Sequence, residues 1–184
     1  MPFSFEALEL PGVVLVVPRL FADNRGSFFE AYRSSDFEAS IGQAFVQDNQ
    51  SRSIRGTVRG LHFQTGAAAQ GKLVRCLAGE IWDVAVDVRP RSSTFGRWVA
   101  RTLSGENLHQ LYIPAGFAHG FQVLSAQADV LYKCTTEYAP KAEGGILWND
   151  PDLALPWPVA DAELSEKDLR LPTWKAFTAS LTLA

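Results

Sequence analysis

The feature that most narrows what this chain can fold into is a succession of short apolar runs, each closed by turn-forming residues. Val13–Val17, Ser27–Tyr32, Val58–Phe63, Lys72–Leu77, Ile81–Val88, Trp98–Leu103, Leu111–Ile113, Gly120–Leu124 and Val130–Thr135 are rich in Val, Ile, Leu, Phe and Tyr. Asn24–Gly26, Gly79, Pro90–Ser93, Ser104–Asn107 and Pro114–Gly116 punctuate the gaps. Short strands at this spacing predict an antiparallel sandwich or barrel rather than alternating βαβ units. Within Ile81–Val88 the side chains alternate: Trp82, Val84, Val86 and Val88 share one face, and Asp83, Ala85 and Asp87 the other.

Helical signals are few. Ser35-Asp-Phe-Glu38 and Ser165-Glu-Lys-Asp168 each read as a box that opens a short helix. Between them, Trp148–Pro158 is dense in Pro and Trp and predicts an ordered arm, since proline cannot sit in a central strand. No linker or internal repeat divides the 184 residues, so one domain spanning 1–184 is expected, with the tail after about residue 175 loosely ordered.

The composition, 47% hydrophobic and 20% charged, is that of a globular protein, and a net charge of -3 gives no basic surface for nucleic acid. No run approaches the ~20 apolar residues of a membrane span. The start, MPFSFEALEL, lacks the basic and apolar regions of a signal peptide, so a cytoplasmic protein with no membrane partner is expected. Cys76 and Cys134 both sit in strand-like runs and read as buried free thiols.

Three histidines make a short inventory. His109 lies in a polar loop and reads as a surface residue. His62 ends a strand in Arg59-Gly-Leu-His-Phe-Gln64, and His119 follows the turn Pro114-Ala-Gly-Phe-Ala-His119. Glycines beside both allow backbone or ligand to approach closely, which favours a site over two structural histidines. Pro-x-Gly-x-x-His resembles the second half of the cupin metal signature, and Gly60-Leu-His62 part of the first. Where the signature has a further histidine, this chain has Gln64, a poorer transition-metal ligand than imidazole. A catalytic zinc site usually has three protein ligands. The reading is a cupin barrel with no metal.

Arg25, Arg52, Arg55, Arg59 and Lys72 lie in or beside segments that would line one mouth of the barrel. Arginine suits bidentate phosphate recognition and lysine a developing oxyanion. Arg52 and Arg55 read as ordinary surface charge; Arg59, three residues before His62, does not. Gln47-Asp-Asn49 fits a polar strand end or part of a site equally well. Tyr132 shares a strand face with Val130 and Cys134, the pattern of a buried tyrosine unless its phenol points into a cavity.

Taken in order, the motifs resemble the dTDP-4-dehydrorhamnose 3,5-epimerases, a family of cupin enzymes. The matching text runs from Phe21-Ala-Asp-Asn-Arg-Gly-Ser-Phe-Phe-Glu30 and Gln47-Asp-Asn-Gln-Ser51 to Gly56-Thr-Val-Arg-Gly-Leu-His-Phe-Gln64. It continues through Gln70-Gly-Lys-Leu-Val74, Asp83–Arg89, Pro114–Phe121, Tyr132, Trp148–Pro151 and Ser165–Asp168, covering about residues 3 to 175. The resemblance implies a mainly β cupin jelly-roll barrel, a dTDP-sugar substrate, no cofactor and a homodimer. It implies His62 as general base, Tyr132 as general acid, Asp168 as the partner of His62 and Lys72 as stabiliser of an enolate oxygen. Arg25, Glu30, Gln47, Asn49, Arg59, His119, Glu143 and Lys167 match substrate-contacting positions, and Tyr138 a position that stacks on thymine.

That chemistry needs these residue types. Removing a proton alpha to a ketone leaves an enolate, so a base and an oxyanion stabiliser must act together. Imidazole is poised to accept a proton near neutrality, and a carboxylate behind it fixes the tautomer. Inversion needs a donor on the other face, which a phenol supplies. Asp168 is equally placed to belong to a helix-capping box. An epimerase of one carbon only, a metal-dependent cupin and a non-catalytic nucleotide-sugar binder are the competing readings.

Overall fold

Ile81–Val88 explains the architecture, because its two faces are buried against different things. In the computed structural model, which describes residues 2–181, this run is strand β8 (Glu80–Asp87). It pairs with β9 (Trp98–Ser104) and β11 (Phe117–Val123). Next to β11 lies β6 (Val58–Gln64), then β13 (Glu143–Gly145), completing a five-stranded antiparallel sheet. The facing sheet has six strands in the order β1 (Phe3–Ala7), β2 (Val14–Pro18), β10 (Gln110–Ile113), β7 (Lys72–Ala78), β12 (Gln127–Cys134) and β5 (Gln47–Ile54). A separate hairpin, β3 (Phe21–Asp23) with β4 (Gly26–Phe28), has all six residues exposed.

Three apolar clusters fill the layers. Between the sheets, Val74, Cys76, Ile81, Ala85, Leu111 and Phe121 belong to the largest. The outer face of the smaller sheet packs Val84, Val86 and Val88, with Trp82, beneath Leu153, Leu155 and Trp157 of the C-terminal arm. The Trp157 indole donates to the Trp148 carbonyl at 2.7 Å, fixing the arm that its prolines and tryptophans predict. The outer face of the larger sheet is covered by α1 (Ser34–Ile41), whose Phe37 is fully buried among Phe3, Val16, Leu73 and Tyr112. Both thiols are free and buried, as read from the sequence.

Four features depart from the sequence reading. Helix α1 begins at Ser34 with Arg33 in the N-cap position and no side-chain cap, so Ser35-Asp-Phe-Glu38 lies inside it rather than opening it. The strand expected over Ser27–Tyr32 stops at Phe28; Phe29 instead lies under Arg75, 4.6 Å from its guanidinium, and Tyr32 packs on Phe37. Strand β5 carries a polar sequence, QDNQSRSI, which gives no hydrophobic alternation to read. The tail is ordered as α3 (Trp174–Leu181), held by Trp174 on Phe95 and by Phe177 on Phe63; residues 182–184 lie outside the described residues. Helix α2 (Glu166–Leu169) is capped by Ser165 Oγ, which accepts from the Asp168 amide at 3.1 Å, as its box predicts.

Phe37 sits at the centre of a ring cluster, 5.1 Å from Phe3, 5.3 Å from Phe5 and 4.9 Å from Tyr32 between centroids. Phe37→Ala is therefore expected to lower unfolding free energy by about 3–5 kcal/mol. Denaturant titration measures it, and a loss under about 1 kcal/mol would mean that α1 is not part of the cooperative core.

Candidate active site

Strands β6 and β11 meet more closely than side chains allow. A Cβ on Gly60, where φ is +141°, would lie 2.5 Å from the Gly120 Cα and 2.9 Å from the His119 carbonyl oxygen. Glycine at both positions lets the backbones touch, and the register sets His62 directly opposite His119. Lys72 and Tyr132 come from β7 and β12 of the facing sheet. All four line one cavity of about 440 Å³, together with Arg59, Ser51, Thr57, Glu163, Ser165 and Asp168. A second hollow of about 300 Å³ shares His62, Lys72 and Tyr132 and extends to Gln47, Asn49, Tyr138 and Glu143.

Helix α2 returns the C-terminal segment to the barrel mouth. There His62 Nε2 and Asp168 Oδ1 lie 2.6 Å apart, in a pair whose carboxylate side chain is only 6% exposed. Asp168 thus follows Ser165 in a capped helix and contacts His62 as well; the two possibilities left open by the sequence coexist. Burial works to raise the Asp168 pKa, but the hydrogen bond and charge of His62, with the Ser165 hydroxyl and the Gly60 amide, hold it below the ordinary range. An ionised Asp168 accepts the Nε2–H, which leaves the Nδ1 lone pair of His62 as the basic position.

The facing wall supplies two polar groups without protein partners. Among the described residues, neither the Tyr132 hydroxyl nor the Lys72 ammonium makes a hydrogen bond, although both line the cavity. A tyrosine at this position would ordinarily satisfy its hydroxyl within the fold. Burial raises the Tyr132 pKa, assisted by Cys134 and opposed by Arg59, so the phenol stays protonated. Burial lowers the Lys72 pKa, while Cys134, Asp83 and Glu143 act to raise it. Imidazole on one sheet and phenol on the other can therefore reach opposite faces of a ring held between them.

The second hollow is a polar web. Gln47 Nε2 donates to Asn49 Oδ1 at 3.0 Å, and Gln47 Oε1 accepts from the Tyr138 amide at 2.8 Å. Glu143 receives the Tyr138 hydroxyl at 2.8 Å and the Lys167 ammonium at 2.7 Å. Tyr138 is 53% exposed, leaving a ring free to stack on a planar ligand. Arg59 is oriented by Ser53 Oγ at 3.1 Å and points its charge into the first cavity's lining. The first cavity is also lined by Ser51 and Thr57, short hydroxyl residues with no distinguishing pattern in the sequence, and by Ser165, whose sequence signal is that of a helix cap.

Two of the expected residues lie elsewhere. Arg25 sits on the exposed β3–β4 hairpin, 86% exposed and bound to Asp23 at 2.6 Å. Glu30 pairs with Arg33. Neither lines the cavity of this chain, because the hairpin stands off both sheets. Arg52 bonds Asp129 at 2.7 Å and stays at the surface, as expected. Gln64, the residue that replaces a metal-binding histidine, has its amide occupied: Nε2 donates to the Ala68 carbonyl at 2.8 Å and Oε1 accepts from the Ala139 amide at 2.7 Å. It braces two loops and offers no free donor atom to a third ligand position.

The family of dTDP-4-dehydrorhamnose 3,5-epimerases matches residues 7–176. The dTDP-4-dehydrorhamnose 3,5-epimerase of Pseudomonas aeruginosa is 57% identical over 164 residues, covering 88% of this chain and 90% of that one. A crystal structure of the Legionella pneumophila dTDP-6-deoxy-D-glucose-3,5-epimerase in complex with dTDP-4-keto-L-rhamnose superposes with a TM-score of 0.92 at 46% identity, over 97% and 96% of the two chains. More distant is a 3'-monoepimerase from Streptomyces bikiniensis in complex with dTDP-quinovose, with a TM-score of 0.90 at 34% identity over 97% and 91%. The fold is the cupin-like barrel of these epimerases, mainly β with few short helices. The chain belongs to the dTDP-4-dehydrorhamnose 3,5-epimerase family.

Proposed function

We propose that this chain inverts C3 and C5 of dTDP-4-dehydro-6-deoxy-D-glucose, giving dTDP-4-dehydro-L-rhamnose for dTDP-L-rhamnose biosynthesis. The observation that carries the proposal is the opposition across one cavity of His62, backed by Asp168, to a Tyr132 hydroxyl and a Lys72 ammonium that have no hydrogen-bond partner among the described residues. His62 Nδ1 takes the proton from carbon, and the electron pair of that C–H bond moves to the C4 oxygen. Lys72 stabilises the resulting enolate. Tyr132 then gives its hydroxyl proton to the carbon from the opposite face, and both groups exchange protons with solvent before the second centre reacts.

The remaining parts follow from the same reading. Arg59 contacts the diphosphate, and His119 and Lys72 contact the sugar. Gln47, Asn49, Tyr138 and Glu143, with Lys167 bound to Glu143, hold the nucleoside, with the Tyr138 ring on thymine. No redox or metal cofactor takes part, since acid–base chemistry balances the reaction. The protein works as a single-domain cytoplasmic homodimer, and Arg25 and Glu30, displaced from this chain's own cavity, meet substrate only when a second copy is present. Among the described residues no helix is long and apolar enough to cross a membrane.

Inversion at one carbon is the nearest alternative, since a 3'-monoepimerase shares the fold. Identity of 57% to a 3,5-epimerase against 34% to the monoepimerase supports the double reaction. Turnover in D2O, read by NMR, is expected to place one deuteron at C3 and another at C5 of the product. A single deuteron would reassign the chain to the one-carbon class, and none would refute proton abstraction altogether. His62→Asn is expected to lower kcat by about 10²–10⁴-fold with the fold intact. A mutant retaining more than about a tenth of the activity would remove His62 as the base.

A further inference from the structure

Asp83 is a charged residue in the middle of an apolar strand, between Trp82 and Val84, and it is fully buried. Its Oδ2 lies 2.8 Å from His119 Nε2, so His119, like His62, has a carboxylate on its Nε2. Its Oδ1 is buried with no hydrogen-bond partner among the described residues. An orphaned carboxylate oxygen at this depth costs free energy and persists only where a nearby positive charge offsets it.

Lys72 is the cation available. The carboxylates that act on it are Asp83 from β8 and Glu143 from β13. Glu143 is already bound to Lys167 at 2.7 Å, and Asp168, on α2, is bound to His62. The exposed Glu163 stands at the rim. The other titratable or charged groups around Lys72 are Cys134 and Tyr132 from β12, His119 from β11, and His62 and Arg59 from β6. None of these carries a negative charge at neutral pH, since burial raises both the Cys134 thiol and the Tyr132 phenol. Asp83 is the buried carboxylate left to balance the Lys72 ammonium.

We propose that Asp83 is a positioning residue of the epimerase site: through Oδ2 it holds His119 with Nδ1 left for the sugar, and through its unpaired Oδ1 it keeps Lys72 charged opposite the forming enolate. The inference rests on the epimerase reading of the cavity. Burial lowers the His119 pKa against the pull of Asp83, so His119 is a neutral imidazole that donates to Asp83 and offers Nδ1 as an acceptor. Burial raises the Asp83 pKa against the pull of His119 and Lys72; with Asp83 and Lys72 both ionised, the set Lys72, Asp83 and His119 is neutral overall, which is the condition for placing a lysine without a salt bridge inside a barrel.

Asp83→Asn keeps the shape and removes the charge. Without the carboxylate the ammonium form of Lys72 loses its support, so Lys72 gives up its proton at lower pH. The alkaline limb of the kcat profile is expected to move down by about one pH unit or more. At neutral pH kcat falls about 10–100-fold, with KM within about threefold of wild type. An unshifted alkaline limb overturns the proposal, as does a loss confined to thermal stability. Should Asp83→Asn fail to fold, the double variant Asp83→Asn/Lys72→Met removes both charges and is expected to restore a cooperative unfolding transition. Failure of that rescue also overturns the proposal. Deuterium incorporation by the wild-type enzyme, run alongside, separates these outcomes from a failure of the epimerase reading itself.

Discussion

Lys72, Asp83, His62, His119 and Arg59 lie between the two sheets or at their mouth, where a β-sandwich ordinarily places its most hydrophobic side chains. Burying such groups opposes folding unless every charge is matched. The apolar interior around Val74, Leu111, Phe121 and Val130 runs up to the cavity, which Phe121 also lines, and the chain finds further burial outside the sheets. Helix α1 covers the larger sheet with Phe37, and the arm of Leu153, Leu155 and Trp157 covers the smaller. Both coverings compensate for the polar cavity, and the second also delivers Asp168 to His62.

This arrangement separates mechanical from chemical tasks. Contact of β6 and β11 at Gly60 and Gly120 sets two imidazoles side by side on one wall. Lys72 and Tyr132 project from the opposite wall, on neighbouring strands of the larger sheet. On the proposed roles, a pyranose ring between the walls would present one face to His62 and the other to Tyr132. Each imidazole is held at Nε2 by a carboxylate, and the carboxylates arrive from different parts of the chain: Asp168 from the capped helix α2, Asp83 from the neighbouring strand β8.

Much of this was legible in the residues. Alternation in Ile81–Val88 separates the face under the tryptophan arm from the face that carries Asp83, and Ser165 caps the helix that its box announces. Strand β5 was not legible, because an edge strand of QDNQSRSI shows its pattern only through pairing with β12. Nor was the N-terminus of α1, where Phe37 burial rather than a cap fixes the helix. The α3 helix has its reason in Trp174 and Phe177 packing on Phe95 and Phe63, contacts distant in sequence. Asp83 did leave a trace, a carboxylate flanked by Trp82 and Val84 inside a largely apolar strand, although its partner was visible only in three dimensions. Arg25 and Glu30 match the family motif and yet stand away from the cavity, since a motif records position along the chain and not position in space.

The central claim is that base and acid act from opposite walls, and Tyr132→Phe incubated with substrate in D2O tests it most directly. Without its hydroxyl, the far face has no donor, whereas His62 can still remove a proton and return a solvent deuteron to the same face. The account predicts deuterium in recovered, uninverted substrate and little epimerised product. Unimpaired inversion, or a complete loss of exchange in a folded protein, would contradict it.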